Sequence, residues 1–306
     1  MTLPDTRFPR GPTLRRLLCR LFLVSRLYHN TQRYRRFVRI PCQSPYGVSV
    51  TPTPHDSSVE LAQRLNATAA VCTVVSSTQL SSSIHEVVLA GPATVLAGVP
   101  GNDVMVQFTN DAGRAVRRRY SVRGVDADLD QFSLWITTAH DGVGSAWATK
   151  ASHGDEMDVI GPRGKVVLDP MADWHLFVGD ITILGSAYRL AQSIEAPGRA
   201  VFIVEIDHAD DALTATFDEG IGITGIFVDR MGRSKDDPSG LLSGLAAFAF
   251  PADKGHAYVF GEFHVMKAVQ TTLLDRGLDD EAISVKPFWR VGRSNADHGE
   301  PDKSED

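Results

Sequence analysis

The chain has 306 residues, of which 43% are hydrophobic and 22% are charged, and its formal net charge is −6. This is an ordinary composition for a globular protein, and the length suggests about two domains, each large enough to have a core. The acidic balance argues against nucleic-acid binding, which needs Lys and Arg to neutralise phosphates.

The cysteines and the hydrophobic runs restrict the class of protein further. Cys19, Cys42 and Cys72 form no C-x-x-C pair, which argues against a disulfide framework and against a zinc or iron–sulfur site. We therefore expect no bound metal and a reducing, cytoplasmic compartment. No stretch of the sequence approaches the roughly 18 consecutive apolar residues of a membrane span.

Residues 1–58 differ in composition from the rest of the chain. Residues 1–45 hold ten arginines and a single acid, Asp5, and residues 43–58 are rich in Pro, Ser and Thr, as in a linker. A membrane-surface helix, a targeting peptide and an upstream extension outside the folded protein all remain open. We expect a disordered or extraneous extension over residues 1–58, with membrane contact only if this segment belongs to the protein.

Six short segments rich in β-branched residues follow, separated by Gly, Asn and Asp turns. They occupy residues 69–80, 84–92, 103–110, 117–125, 131–139 and 155–164. Regular spacing of this kind is typical of an antiparallel barrel. We predict an antiparallel β-barrel domain over residues 59–168.

One short helix interrupts the predicted barrel at residues 144–152. The chain enters it through Gly142, Val143, Gly144 and Ser145. Small residues at a helix start expose backbone N–H groups, and the helix dipole adds to their attraction for an anion. An ordinary helix capped by serine is the alternative.

The strand at residues 117–125 carries four arginines, although the chain is acidic overall. Because alternate residues of a strand share a face, Arg118 and Tyr120 lie on one face and Arg117 and Arg119 on the other. An arginine can grip a phosphate with two hydrogen bonds, and a tyrosine can lie flat on a conjugated ring. A solvated edge strand is the alternative. We expect Arg117 and Arg119 to be solvated charges.

From residue 169 onward, strands alternate with helices. Strand-like runs lie at residues 175–180, 199–207, 222–230, 256–262 and 282–290, and helical runs at residues 182–194, 239–250 and 263–277. This alternation predicts an α/β domain with a parallel sheet over residues 169–295, followed by a disordered tail at residues 296–306. The acidic run at residues 207–220 is expected to be a solvated helix rather than a metal site.

The order of these motifs resembles the ferredoxin–NADP reductase superfamily and, within it, the siderophore-interacting protein family, whose members are FAD-dependent ferric-siderophore reductases. The chain resembles the family in an R-x-Y-[ST]-x-R strand, a Gly-Ser helix entry, an I-G-P-x-G turn, a G-D segment, a G-E pair and a terminal [YF]-W-[RK]-x-G segment. The matching positions are Arg118, Tyr120, Ser121, Arg123, Gly142, Gly144, Ser145, Trp147, Ala148, Ile160, Gly161, Pro162, Gly164, Gly179, Asp180, Thr182, Gly261, Glu262 and residues 288–292. The resemblance covers residues 67–295.

The resemblance implies a flavin-binding barrel. Arg118 would contact the FAD diphosphate, Tyr120 would lie on or beside the isoalloxazine ring, and Ser121 would bond near the flavin N5. Gly144 and Ser145 would meet the pyrophosphate at the helix start. The predicted flavin set is completed by Val122, Arg123, Thr138, His140, Gly142 and Trp147.

The resemblance also implies a site for NADPH or NADH in the second domain. Gly179, Asp180 and Thr182 would border this cofactor, with Gly261 and Glu262 near its nicotinamide ring. The sequence holds no G-x-G-x-x-G and no G-x-x-x-x-G-K-[ST] motif, so neither a standard Rossmann fingerprint nor a P-loop supports the assignment.

Several positions depart from the family pattern. Thr138 stands where the family usually has a histidine before the helix entry. Ile181 replaces the glutamate of a G-D-E-T segment, which puts normal NADPH use in question. The stretch after residues 202–207 has no clear basic pair for a 2′-phosphate, although Arg230 and Arg233 could serve from the neighbouring strand end.

The function that the resemblance implies is an NAD(P)H-dependent ferric-siderophore oxidoreductase that releases Fe(II). Fe²⁺ is softer than Fe³⁺ and is held less tightly by hard oxygen ligands. No acid–base catalytic residue is required, and Arg290 and Arg293 are the candidates for contact with the anionic ferric chelate.

Two alternatives remain open, and we expect a monomer in each case. One is a flavin-binding electron-relay or chelate-binding protein with little or no NAD(P)H reductase activity, served by a ferredoxin-type donor. The other is a general flavin or ferric reductase without siderophore preference.

Overall fold

The first half of the described chain is a closed antiparallel barrel. The computed structural model describes residues 57–110, 113–139, 141–215 and 217–292. The barrel strands are β1 (Thr68–Gln79), β2 (Ile84–Ala90), β3 (Asp103–Thr109), β4 (Ala115–Asp126), β5 (Gln131–Thr137) and β6 (Glu156–Arg163). They close in the order β1-β2-β5-β4-β3-β6. Buried and half-buried side chains alternate strictly along β5, as expected when one face of a strand lines a core. The predicted barrel is confirmed.

Three short helices accompany the barrel: α1 (Ser58–Arg64), α2 (Ala93–Ala97) and α3 (Val143–Ala148). The sequence analysis predicts α3 but neither α1 nor α2. α1 begins with a capping box, in which the Ser57 hydroxyl accepts from the Glu60 amide and the Glu60 carboxylate accepts from the Ser57 amide. This S-x-x-E signal is present in the sequence, but it lies at the end of a stretch whose composition is typical of a linker.

The second half is a parallel sheet flanked by helices. Its strands are β7 (Trp174–Asp180), β8 (Gly198–Ile206), β9 (Ile221–Asp229), β10 (Gly255–Glu262) and β11 (Ile283–Trp289), and its helices are α4 (Leu184–Ala191), α5 (Ser239–Ala247) and α6 (Phe263–Asp275). Each neighbouring pair of strands is parallel. The predicted α/β architecture is confirmed.

The sheet separates two hydrophobic layers. On one face, Leu245 of α5 and Val269 of α6 pack among the apolar side chains of the central strands. On the other face, Tyr188 of α4 packs together with the barrel residues Ile84 and Trp135. The barrel therefore lies against the same face of the sheet as α4.

The acidic run at residues 207–220 is not the solvated helix that was expected. Its described residues, which leave out position 216, hold a 3₁₀ turn, Ala209–Asp211, and no α-helix. The Asp211 side chain is fully buried. Its carboxylate accepts hydrogen bonds from the Ser81 hydroxyl (2.7 Å), the Ser83 hydroxyl (2.8 Å) and the Ser83 amide (3.1 Å). Because Ser81 and Ser83 belong to the β1–β2 turn, this acid fastens the barrel to the α/β half.

The order of the strands across the sheet changes direction once relative to their order along the chain. β8 and β9 lie on one side of β7, whereas β10 and β11 lie on its other side. Chain order therefore reverses between β7 and β10, and sheets of this kind bind ligands outside the carboxyl ends of the strands at such a switch point. The two strand ends that flank it carry Gly179 with Asp180 and Gly261 with Glu262.

Candidate functional site

The contact between β4 and α3 brings three predicted flavin-site residues together. The hydroxyl of Tyr120 lies so close to Gly144 that a Cβ added there would be 1.6 Å from the hydroxyl oxygen. Phe108 joins the group, with its ring centroid 6.3 Å from that of Tyr120 and 5.4 Å from that of Trp147. Burial raises the pKa of Tyr120, so the hydroxyl stays protonated at neutral pH. Glycine at position 144 is thus required by a close approach.

A cleft of about 910 Å³ opens between α3 and the adjoining ends of β3 and β6. Its volume lies within the range of about 300–1,000 Å³ that is usual for ligand pockets. Gly142, Phe108, Trp147 and Lys150 line it, and a Cβ added at Gly142 would meet nothing within 4 Å. Asp141, Glu156 and Asp158 line it too, so three acids accompany the lysine. The open space at the start of α3 and the aromatic walls fit part of an extended dinucleotide such as FAD, whereas the acids do not favour its phosphates.

The loop before α3 is held by its own hydrogen bonds. The Ser145 hydroxyl donates to the Thr137 carbonyl oxygen (2.8 Å), and the Thr138 amide donates to the Ser83 carbonyl oxygen (2.7 Å). Ser145 therefore anchors α3 to β5, while the backbone amides at the start of α3 adjoin the cleft. His140 lies outside the described residues.

The arginines of β4 have separate environments. The Arg118 guanidinium donates to the Arg117 carbonyl oxygen (2.7 Å), and Arg118 stands across from Val106 of β3, on the face of Tyr120. The prediction that Arg119 is a solvated charge is wrong. Its side chain is only 14% exposed and makes two hydrogen bonds to the buried carboxylate of Asp103, at 3.0 and 2.7 Å.

Asp103 also holds the two halves of the protein together. Its carboxylate accepts from Lys286 of β11 at 2.5 Å, beside its pair of bonds from Arg119. Burial alone would raise the pKa of Asp103, but the charges of Lys286 and Arg119 outweigh it and hold the pKa below its usual value. Ser121 lies directly across from Asp103 in the β3–β4 ladder, so this charge cluster adjoins a predicted flavin contact.

The last two predicted residues of β4 lie elsewhere. Val122 is buried in the barrel core. The Arg123 guanidinium lies 4.9 Å from the Trp135 ring centroid and 5.8 Å from that of Tyr188, and it donates to the Gln192 side-chain oxygen at 2.8 Å. Arg123 is thus placed at the contact with α4 rather than beside Tyr120.

At the switch point, the carboxylate of Asp180 binds Thr182 and Glu262, two other residues predicted to border the nicotinamide cofactor. One of its carboxylate oxygens accepts from the amide (2.8 Å) and the hydroxyl (2.5 Å) of Thr182. The other accepts from the Glu262 amide (3.1 Å) and from the indole N–H of Trp289 (2.9 Å). Asp180 therefore ties the ends of β7, β10 and β11 into one rigid edge.

Glu262 has a comparable structural role. It caps α6, since one carboxylate oxygen accepts from the amides of His264 (2.6 Å) and Val265 (3.0 Å). Its other oxygen accepts from the Val291 amide at 3.2 Å. Gly261 has a φ of +124°, and a Cβ there would lie 2.6 Å from an Asp180 oxygen, so glycine allows this close approach.

The candidate chelate contacts are only partly described. The Arg290 guanidinium lies 5.0 Å from the ring centroid of Phe263, over the start of α6. Lys267 lies over the same ring at 4.7 Å. Arg293 lies outside the described residues. A cationic and aromatic surface thus adjoins the switch point at the carboxyl end of β11.

Two family models match this chain. The model described as siderophore-interacting FAD-binding domain matches residues 90–166, and the model described as siderophore-interacting protein matches residues 172–292. The chain belongs to the siderophore-interacting protein family. Ferric vibriobactin reductase of Vibrio cholerae is 24% identical over 187 residues, which cover 59% of this chain and 67% of that protein.

Two solved structures illustrate the shared fold. A siderophore utilization protein from T. fusca is 26% identical, with a TM-score of 0.68, over 76% of this chain and 96% of that chain. A ferredoxin NADP⁺ reductase from Neisseria gonorrhoeae, with bound FAD and NADP, has a TM-score of 0.57 at 13% identity, over 72% of this chain and 99% of that chain.

Some residues that join the two halves or fix the strand ends around these candidate positions escaped the sequence analysis. Asp103 binds Arg119 and Lys286, and nothing in the sequence around these residues indicates it. Trp289 belongs to a motif named in the sequence analysis, but its bond to Asp180 was not predicted. Among the described residues, no group of three or more His, Cys, Asp and Glu could hold a metal ion. Within the same ranges, no helix is long and apolar enough to cross a membrane.

Proposed function

We propose that this siderophore-interacting protein is an FAD-dependent reductase that transfers electrons from NADH or NADPH to a ferric siderophore and releases Fe(II). The observation that carries the proposal is the switch point, where Asp180 holds together the carboxyl ends of β7, β10 and β11. A flavin barrel and a nicotinamide-type strand edge are the two parts that such a reaction needs. The cytoplasmic location and the monomeric state expected from the sequence stay predictions.

The barrel half would hold FAD. Arg118 would supply a guanidinium for the diphosphate, and Gly142 and Val143 line the cleft at the start of α3. Tyr120, locked against Gly144, supplies a fixed aromatic edge beside Ser121. When bound, FAD supplies the conversion between a two-electron donor and one-electron acceptors.

The sheet half would receive the nicotinamide cofactor. Because both carboxylates at the switch point accept from backbone, hydroxyl and indole donors, their part is to fix the strand ends rather than to exchange protons. Thr182 and Gly261 then present a preformed edge to the ring. This agrees with a reaction that requires no general acid or base at the iron.

The ferric chelate would lie near the same edge. Arg290 and Lys267 offer positive charge to an anionic siderophore, with Phe263 as an apolar surface between them. One NAD(P)H supplies two electrons and leaves NAD(P)⁺ and a proton, so two Fe³⁺ are reduced to two Fe²⁺. Release follows because the hard oxygen ligands of the siderophore hold Fe²⁺ less tightly.

One observation favours a second candidate, an electron relay served by a reduced protein donor. Ile181, which replaces the family's glutamate, is buried in the core between α4 and the sheet, and the Thr182 hydroxyl is bonded to Asp180. No polar side chain of this turn therefore extends toward a dinucleotide, which would weaken its binding.

Iron release under steady-state conditions separates these candidates. Purified protein is loaded with FAD and mixed with a ferric siderophore, and Fe(II) is trapped with a colorimetric chelator. Turnover with NADH or NADPH supports the reductase, whereas turnover only with reduced ferredoxin supports the relay. Failure to retain FAD would refute both. Arg118→Gln should weaken FAD retention, and Arg114→Gln, on the exposed β3–β4 turn, is the matched control.

A further inference from the structure

The edge strand β9 is open along its outer side. In the sheet order β11-β10-β7-β8-β9, it pairs with β8, and among the described residues no strand lies beyond it. Its pairing with β8 runs without a bulge from Ile221 to Asp229, and residues 222–225 are all exposed. Such an edge presents a row of backbone N–H and C=O groups that can bond to another extended strand.

The opposite edge of the same sheet is protected against such pairing. β11 carries Lys286 and Pro287, and its register with β10 shifts between Gly261 and Glu262. A charged residue, a proline and a bulge are three means by which proteins prevent edge-to-edge association. Residues 221–228 of β9 hold neither a charged residue nor a proline. The two edges of this sheet therefore differ in the feature that decides whether an edge can pair.

The surface beside β9 is depleted of charge. No Asp, Glu, Lys or Arg occurs in residues 221–228 or in residues 238–252, which include α5. At the chain's average of 22% charged residues, about five charges would be expected there. The solvent side of a surface helix is normally charged or polar, whereas the exposed positions of α5 are Ser239, Ser243, Ala246 and Ala247. Depletion of charge is typical of the centre of a protein–protein interface.

The helix α5 lies directly on the open strand. A Cβ added at Gly244 would be 2.8 Å from the Ile203 side chain of β8 and 3.1 Å from the Val228 side chain of β9. The uncharged helix and the uncharged strand therefore form one continuous surface. We call this surface, made of residues 221–228 and the exposed side of α5, the β9 edge.

The charged residues near the β9 edge lie at its ends. Asp218 and Glu219 precede the strand, and Asp229 ends it. Arg230 and Arg233, which follow, form ion pairs with the buried carboxylate of Glu205 at 2.5 and 3.0 Å. The middle of the edge is thus uncharged, and the arginines at its end already have partners within the chain.

A second copy of this chain fits the β9 edge. The chain has a net charge of −6, so two copies repel each other least where no charge is exposed. Two identical strands related by a two-fold axis pair antiparallel, and one operation covers both open edges. Nine residues extend about 30 Å, and the helix layer brings the height to about 20 Å, so each copy would bury about 600 Å², at the lower limit of specific interfaces.

We propose that this protein forms a homodimer in which the β9 strands of two copies pair antiparallel across a two-fold axis, with both α5 helices side by side on one face of the joined sheet. The dimer leaves the switch point open, because β8 separates β9 from β7. It does not depend on the proposed reductase activity, and it stands against the monomer expected from the sequence.

Sedimentation velocity on the full chain tests the proposal. As the concentration rises from about 1 to about 100 µM, the mass should increase from 33.3 kDa toward twice that value and no further. Hydrogen exchange of the amides in residues 221–229 should slow over the same range, because pairing protects the open side of the strand.

Lysine substitutions in β9 locate the interface. Ile223→Lys and Thr224→Lys should each raise the dimer dissociation constant about tenfold or more, since each adds two unpaired charges to a neutral interface. Val125→Lys is the matched control, because Val125 is a β-branched strand residue that is 38% exposed, against 42% for Ile223. Thr224→Lys replaces an exposed polar side chain, so it repeats the test without disturbing the core. Melting temperatures show that each variant is folded.

Three results would overturn the inference. They are a wild-type protein that stays at 33.3 kDa throughout, a mass that rises beyond two copies, and a dimer that both β9 variants weaken no more than Val125→Lys does. A dimer that both β9 variants weaken, with concentration-dependent protection of residues 221–229, would support it.

Discussion

The close approach of Tyr120 to Gly144 makes one substitution especially informative. In Gly144→Ala, the new Cβ would lie 1.6 Å from the Tyr120 hydroxyl oxygen and 2.9 Å from the ring carbon that bears it. Real Cβ atoms do not tolerate such distances, so α3 and β4 must separate or the tyrosine must move. Either change disturbs the proposed flavin site directly.

The expected cost follows from overpacking in a well-packed region. Such substitutions typically destabilise by about 1–3 kcal/mol, which for a domain of this size lowers the melting temperature by about 2–12 °C. Gly142→Ala is the matched control, because a Cβ there meets nothing within 4 Å, and it should change the melting temperature little. Tyr120→Phe removes the nearer atom and should recover part of the loss when combined with Gly144→Ala.

Thermal unfolding of the FAD-free protein measures the packing effect, and FAD titration measures the effect on the site. We expect Gly144→Ala to be less stable and to bind FAD more weakly. The double variant should show coupling between the two positions in a mutant cycle. A Gly144→Ala protein as stable as Gly142→Ala, or a double variant with purely additive effects, would refute the packing that we describe.

Three further predictions concern buried polar groups. Asp211→Ala leaves the Ser81 and Ser83 donors unpaired and should lower the free energy of unfolding, measured with denaturant, by about 1–3 kcal/mol. Alanine at the exposed neighbour Asp210 should lower it much less, and equal effects of the two substitutions would contradict this. Burial and the charge of His256 lower the pKa of His175 to about 4. Below about pH 6.5 the unfolded chain therefore binds more protons than the folded chain, and the free energy of unfolding falls by up to about 3 kcal/mol as the pH drops toward 4. His175→Asn should flatten that pH dependence, and an unchanged profile would argue against it. Burial raises the pKa of the Cys72 thiol to about 12. In a variant whose other two cysteines are replaced, iodoacetamide at pH 8 should therefore label Cys72 only after unfolding. Rapid labelling of the native protein would be inconsistent with its burial.

The architecture was predictable because it depends on local patterns. Burial alternates along β5 of the barrel, and β7, β8 and β10 at the centre of the sheet are buried, largely apolar runs, so both types of strand are visible in the sequence. Tyr120, Gly144 and Trp147 were also predictable as neighbours, since they belong to ordered motifs on β4 and α3. The helices α1 and α2 were missed because each is short and lies in a stretch whose composition is typical of a loop.

Long-range pairing accounts for the other errors. Arg119 belongs to a cluster of charges and was expected to be solvated, but its partner Asp103 is on another strand and the second cation, Lys286, lies 183 residues from Asp103. Asp211 is one of several acids in a row, and only the fold brings Ser81 and Ser83 to it. Charge patterns along the chain therefore do not indicate which charges become buried.

The most direct test of the proposed reductase is an anaerobic spectral titration of the FAD-loaded protein. We predict that NADH or NADPH bleaches the visible flavin absorbance, and that a ferric siderophore added afterwards restores it with two trapped Fe(II) per dinucleotide consumed. A flavin that neither NADH nor NADPH bleaches, or a reduced flavin that the ferric siderophore does not reoxidise, would contradict the account.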